Sequence, residues 1–78
     1  MNNSEKYKKT FSRSLSIKDN FDESLKYNDI PEWDSIGHMT LISELEGEFN
    51  ISLETDDIVD FSSFNKGKEI LKKYGVLE

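Results

Sequence analysis

The chain has no cysteine, one proline, one histidine and one tryptophan in 78 residues. The missing cysteine excludes disulfides, thiolate metal sites and a cysteine nucleophile. With His38 as the only histidine, no partnered base for nucleophilic catalysis is in view, because that chemistry needs a base oriented by a third group. No apolar run approaches the roughly 20 residues that cross a bilayer. Met1 to Thr10 is polar and lacks the apolar centre of a secretory signal. A soluble cytoplasmic protein without membrane insertion is the expectation. Bases are scarce in the middle of the chain: Asp19 to Asp60 holds thirteen acids and one base, Lys26. With a net charge of −6, the chain is a poor ligand for nucleic acid, whose phosphates it repels. The same charge favours encounters with basic protein surfaces.

What is present suffices for one small domain over residues 1–78. Hydrophobic residues make up 35% of the chain, and five Phe, three Tyr and one Trp supply most of their bulk, too much for a disordered segment. A chain this short buries roughly 60% of the surface its unfolded form exposes. That accommodates a few packed helices but no deep catalytic cleft.

The periodicity is helical. Residues of about 4–15 place Tyr7, Phe11 and Leu15 four apart on one face, with Ser4 as the candidate N-cap. Turn and breaker signals then accumulate at Asp19-Asn20, Asn28-Asp29 and Pro31. Ile17, Phe21, Leu25 and Ile30 are available to anchor this long loop to a core. Residues 35–49 carry the strongest pattern, with Leu41, Ile42, Leu45 and Phe49 on one side, and Asn50 breaks it. Thr55 is the candidate cap of a short helix with Asp56 and Asp57 in its dipole-favoured first turn and Ile58 and Phe61 inward. A last helix over about 64–74 starts from Ser62, Ser63 or Asn65. It turns Phe64, Gly67, Ile70, Leu71 and Tyr74 inward and stops at Gly75, with Val76 placed to close the cap. The predicted architecture is all-α: a bundle of three main helices plus one short helix, with a long loop after the first.

Asp34-Ser35 stands where the loop gives way to the strongest helix. Either residue suits an N-cap. On a helical wheel centred on Leu45, however, Ile36 lies about 180° and Met39 about 120° from the core direction. Two apolar residues turned outward within a turn of Ser35 point to a contact surface. Thr40, Ser43 and Gly47 share the outward strip, flanked by Glu44 and Glu48 on one side and Glu46 on the other. An ordinary solvated face with a helix-weakening glycine accounts for the same strip equally well. His38 falls close to the core face, next to Ser35. Asp56, Asp57 and Asp60 lack the spacing of a calcium loop, and no metal site is expected.

The segment Ile30-Pro31-Glu32-Trp33-Asp34-Ser35-Ile36-Gly37-His38-Met39, continued by Leu41-Ile42-Ser43-Glu44-Leu45-Glu46-Gly47-Glu48-Phe49, resembles the attachment helix of acyl carrier proteins. It matches their Asp-Ser-Leu signature, with Ile36 for Leu, and their Leu-x-x-x-Leu-Glu-x-x-Phe continuation. The downstream Ile51-Ser52-Leu53, the short acidic helix and the terminal amphipathic helix fit as well, so the resemblance spans nearly the whole chain and weakens before about residue 15. It implies a monomeric, non-enzymatic carrier. Ser35 would bear a 4′-phosphopantetheine arm taken from coenzyme A, and Asp34 would support the phosphopantetheinyl transferase reaction. The arm's thiol would hold acyl or aminoacyl groups as thioesters. Loading and acyl-transfer enzymes with basic docking surfaces would then meet Ile36, Met39, Thr40, Ser43, Glu46 and Gly47. Thr40 and Gly47 replace the glutamates of fatty-acid carriers, which suggests a specialised pathway. Phe61, Gly67 and Leu71 match positions that line the acyl cavity, and the bulk of Phe61 implies short or polar cargo. Two rival readings are an unmodified acidic helical adaptor for basic proteins and a small hydrolase, the latter disfavoured by the missing nucleophile–base set.

Overall fold

A computed structural model describes residues 2–77. It contains four helices: α1 (Asn3–Leu15), α2 (Ser35–Phe49), α3 (Thr55–Asp60) and α4 (Phe64–Lys73). Among the described residues the one extended pairing is a single antiparallel bridge between Lys26 and Ser63. The chain is thus the all-helical bundle that the periodicity predicts.

Two helix starts differ from expectation. Asn2, not Ser4, caps α1: its side chain accepts from Glu5 N at 2.8 Å, two residues earlier than expected. Glu54, not Thr55, flanks α3, and it caps without its side chain. Its carbonyl takes the amides of Asp57 and Ile58, while its own amide donates to the Tyr74 hydroxyl at 2.9 Å. The other ends follow local chemistry. Ser63 caps α4 through Lys66 N, and Asn50 ends α2 in the left-handed region at φ 54°. Beyond α4, Gly75 N donates to Lys72 O and Val76 N to Leu71 O, the paired bonds of a Schellman motif.

The core is aromatic. Tyr7 stacks on Phe64 at 4.6 Å between ring centroids, and Phe11 meets Phe64, Phe21 and Trp33 at 4.9, 5.0 and 5.1 Å. Leu41, Leu45 and Leu71 close it from α2 and α4. The Tyr7 hydroxyl is fully buried and donates to Phe64 O at 2.7 Å, and burial pushes its pKa well up. Ile17, Phe21, Leu25 and Ile30 pin the long loop to this core as expected. The loop is ordered by backbone pairing as well: Tyr27 N donates to Ser62 O, Phe64 N to Leu25 O and Asn28 N to Trp33 O.

In α3 the buried residue is Asp57, while Ile58 is only half-buried, as is Tyr74 at the end of α4. The reason is a polar latch. Asp57 accepts from Lys73 Nζ and, at 2.6 Å, from the Tyr74 hydroxyl, which ties the short helix to α4. The Lys73 bond and then the Tyr74 bond hold the Asp57 carboxyl below the usual carboxylate range, and the same Asp57 contact raises Lys73 and Tyr74. A depressed carboxyl stabilises the fold above its unfolded pKa, about 4, and that contribution is lost as pH falls through the lower folded value. The raised Lys73 and Tyr74 contribute below their unfolded values, both about 10, and lose that contribution only as pH rises beyond them. The melting temperature is therefore expected to hold across this window and fall on its acid side. Asp57→Asn should melt lower at neutral pH and show a shallower acid limb. Thermal melts of both proteins across pH check this; parallel acid limbs would count against the latch.

Candidate functional site

The approach to α2 is built by Trp33. Its ring is fully buried, edge-on to Phe11 and Tyr27 and stacked on His38. Its indole Nε1 donates to His38 Nδ1 at 3.0 Å. His38 Nε2 lies 2.8 Å from Ile58 O, and a carbonyl can only accept, so Nε2 carries the ring proton. His38 therefore bridges the start of α2 to α3 with both nitrogens committed. It sits near the core face as the wheel places it, but it makes no hydrogen bond to Ser35.

Asp34 and Ser35 divide the work that either could do alone. Asp34 Oδ1 accepts from Gly37 N at 2.8 Å and is the N-cap. Ser35, the first helical residue, is exposed, and its hydroxyl has one side-chain partner among the described residues, the Tyr27 hydroxyl at 3.2 Å. Gly37 permits the tight entry: a Cβ there would lie 2.1 Å from the Glu32 carbonyl oxygen.

Ile36 is 79% and Met39 56% exposed, as the wheel requires, and Val59 on α3 is 75% exposed. These are the exposed large hydrophobics among the described residues. Val59 escaped sequence reasoning because a six-residue helix is too short to show a periodic face. Ser35, Ile36, Met39, Thr40, Ser43 and Glu44 line one shallow groove of about 590 Å³. Thr40 turns its hydroxyl back onto Ile36 O, and Gly47 is exposed further along the helix.

Two members of the expected contact strip stand outside this groove. Gly47 does not border the groove. Glu46 does not point to it either: its Oε2 accepts from Leu53 N at 2.8 Å, so it braces the turn after α2. Glu44 and Glu48 are shared by Arg13 of α1 at 3.1 and 3.3 Å. Arg13 is more than half exposed, and such surface pairs are worth roughly 0–1 kcal/mol, so a basic partner can compete for both acids. Glu32, Asp56 and Asp60 are exposed and make no ion pair among the described residues.

Tyr27, His38, Ile58, Val59, Phe61 and Ser62 surround a second, smaller cleft of about 240 Å³. Phe61 lines it. Gly67 and Leu71 do not: both are buried in the core, where Tyr7 and Phe61 close over Gly67. No three His, Cys, Asp or Glu side chains converge on a metal site among the described residues. No described helix is long and apolar enough to cross a membrane.

Comparison of the chain with protein-family models, curated proteins and solved structures finds no match.

Proposed function

We propose that the protein is a discrete acyl-type carrier whose Ser35 receives a 4′-phosphopantetheine arm, and that it is not itself an enzyme. The observation that carries this reading is the division of labour at the start of α2. Asp34 does the capping, which leaves the Ser35 hydroxyl exposed beside the helix's positive end, where a phosphate is favoured. Ser35 Oγ attacks the pantetheine-side phosphorus of coenzyme A. An Oγ–P bond forms, the bond to 3′,5′-adenosine bisphosphate breaks, and the Oγ proton passes to a base on the transferase. His38 is not that base, because Trp33 and Ile58 occupy it. The attached group supplies a thiol that holds cargo as a thioester. A reaction that consumes coenzyme A suits a cytoplasmic setting.

Ile36, Met39 and Val59 form the apolar contacts for modifying and loading enzymes. Glu44, Glu32, Asp56 and Asp60 attract their basic surfaces. The filled core and the small cleft favour short or polar cargo over a long acyl chain, and uncharged Thr40 and Gly47 favour a specialised pathway over bulk fatty-acid synthesis.

The test is the intact mass of the chain after incubation with coenzyme A, magnesium and a broad-specificity phosphopantetheinyl transferase. One arm per chain is expected; a chain that stays at its starting mass is an unmodified adaptor instead. Met39→Glu should raise the transferase's KM about tenfold or more, the scale of losing an interface anchor, with helicity unchanged. An unchanged KM would remove Met39 from the contact surface.

A further inference from the structure

The Ser35 hydroxyl is held by a residue that sequence reasoning did not select. Tyr27 lies in the loop before α2, and its hydroxyl is 3.2 Å from Ser35 Oγ. It is fixed from several sides. Its amide donates to Ser62 O at 2.9 Å, next to the Lys26–Ser63 bridge, and its ring stands edge-on to Trp33 and His38 at 6.1 and 5.4 Å. These contacts set the phenol before any partner arrives, and such pre-placement is how a positioning group lowers a barrier.

We propose that Tyr27 is a positioning residue for the modification of Ser35 and then a ligand of the attached phosphate. This role rests on the carrier reading. With Tyr27 as donor, the Ser35 hydroxyl keeps its proton free for the transferase's base and a lone pair free for the phosphorus of coenzyme A. As the Oγ–P bond forms and adenosine bisphosphate leaves, the serine oxygen loses its proton and can no longer donate. The contact then survives only with Tyr27 donating, to the ester oxygen or to an anionic phosphoryl oxygen. The second is a charge-assisted bond and the stronger of the two. Tyr27 therefore favours the product state and restrains the first atoms of the arm against the side of the cleft that it lines.

The experiment compares wild-type chain with Tyr27→Phe, which keeps the ring contacts and removes the hydroxyl. Coenzyme A, magnesium and the transferase are held constant, and intact mass is read against time. The expected result is a kcat about five- to tenfold lower, the scale of one lost hydrogen bond, with KM for the chain unchanged. Equal kcat values, or a loss confined to KM, overturn the role of Tyr27 while leaving the carrier reading intact. A wild-type chain that gains no arm overturns the carrier reading and this role with it. A measurement on the modified wild-type chain is independent of the variant's folding. Nuclear Overhauser contacts are expected between the Tyr27 ring and both the Ser35 Cβ protons and the first methylene of the arm. Their absence overturns the phosphate contact.

Discussion

Ser35→Ala is expected to take no arm at all while keeping the stability of the wild-type chain to within about 0.5 kcal/mol, the usual range for an exposed substitution. Both halves follow from the position of Ser35 as the first residue of α2 rather than its cap. Alanine is the best helix former, so the helix loses little when the serine goes. What is lost is the hydroxyl proposed to take the arm. Asp34→Ala should do the reverse for stability. It removes the acceptor for Gly37 N and is expected to cost about 1 kcal/mol, although Ser35 remains. Intact mass and urea unfolding on the two variants separate attachment from capping. An arm on Ser35→Ala would end the assignment of Ser35. A loss of more than about 1 kcal/mol in that variant would show that its hydroxyl is structural, since that is the scale of a lost cap.

Gly67→Ala should be the most damaging small substitution in the core. Helix propensity alone predicts the opposite sign, since alanine gains about 1 kcal/mol over glycine inside a helix. The environment reverses it. A Cβ on Gly67 would stand 2.2 Å from the Tyr7 hydroxyl and 2.3 Å from Phe61 Cζ. Both rings are enclosed, at 0% and 1% exposure, and have nowhere to swing. Overpacking of this kind costs about 1–3 kcal/mol. Displacing Tyr7 also endangers its bond to Phe64 O, and a buried hydroxyl left unpaired costs about 1–3 kcal/mol more. A net loss of about 2 kcal/mol or more is expected, a large share of what so small a domain holds. Gly47 provides the matched comparison, because it lies in α2 with nothing within 4 Å of its Cβ position. Gly47→Ala should gain about 0.5–1 kcal/mol. Denaturant midpoints of the two variants test the contrast; a stabilised Gly67→Ala would mean that the core yields there.

Most of the architecture is legible in the chain because helices advertise themselves locally. Leu41, Ile42, Leu45 and Phe49 recur at helical spacing, and all four are buried in α2. The same wheel correctly turned Ile36 and Met39 outward. Where the signal was ambiguous the misses were local too. Asn2 precedes Ser4 as a cap with equal chemical standing, and only the position of the helix decides between them. Thr55 has the preferred side chain, yet the amide of Glu54 is drawn to Tyr74, twenty residues on, and the helix starts from there. The long loop is legible as irregular through Pro31 and its turn residues. Its internal order is not, since Tyr27 bonds to Ser62 and Leu25 to Phe64, far away in the sequence.

The candidate site divides along the same line. Asp34, Ser35 and the apolar pair that follows are contiguous, so one helix wheel places them. The wheel does not place the Glu46 carboxylate, because its side chain is long enough to reach forward to the Leu53 amide. Asp57 was legible as a first-turn acid but not as a buried one, since its partners Lys73 and Tyr74 arrive only with α4.

The sequence by itself determined that this chain is a small acidic helical bundle, and which serine begins its strongest helix. Those features rest on periodicity, caps and charge, which act within a few residues. Tertiary structure alone decided that His38 is occupied and that Tyr27 stands over the serine. These depend on hydrogen bonds and ring contacts between segments whose approach is fixed by packing, and packing has no short-range signature to read.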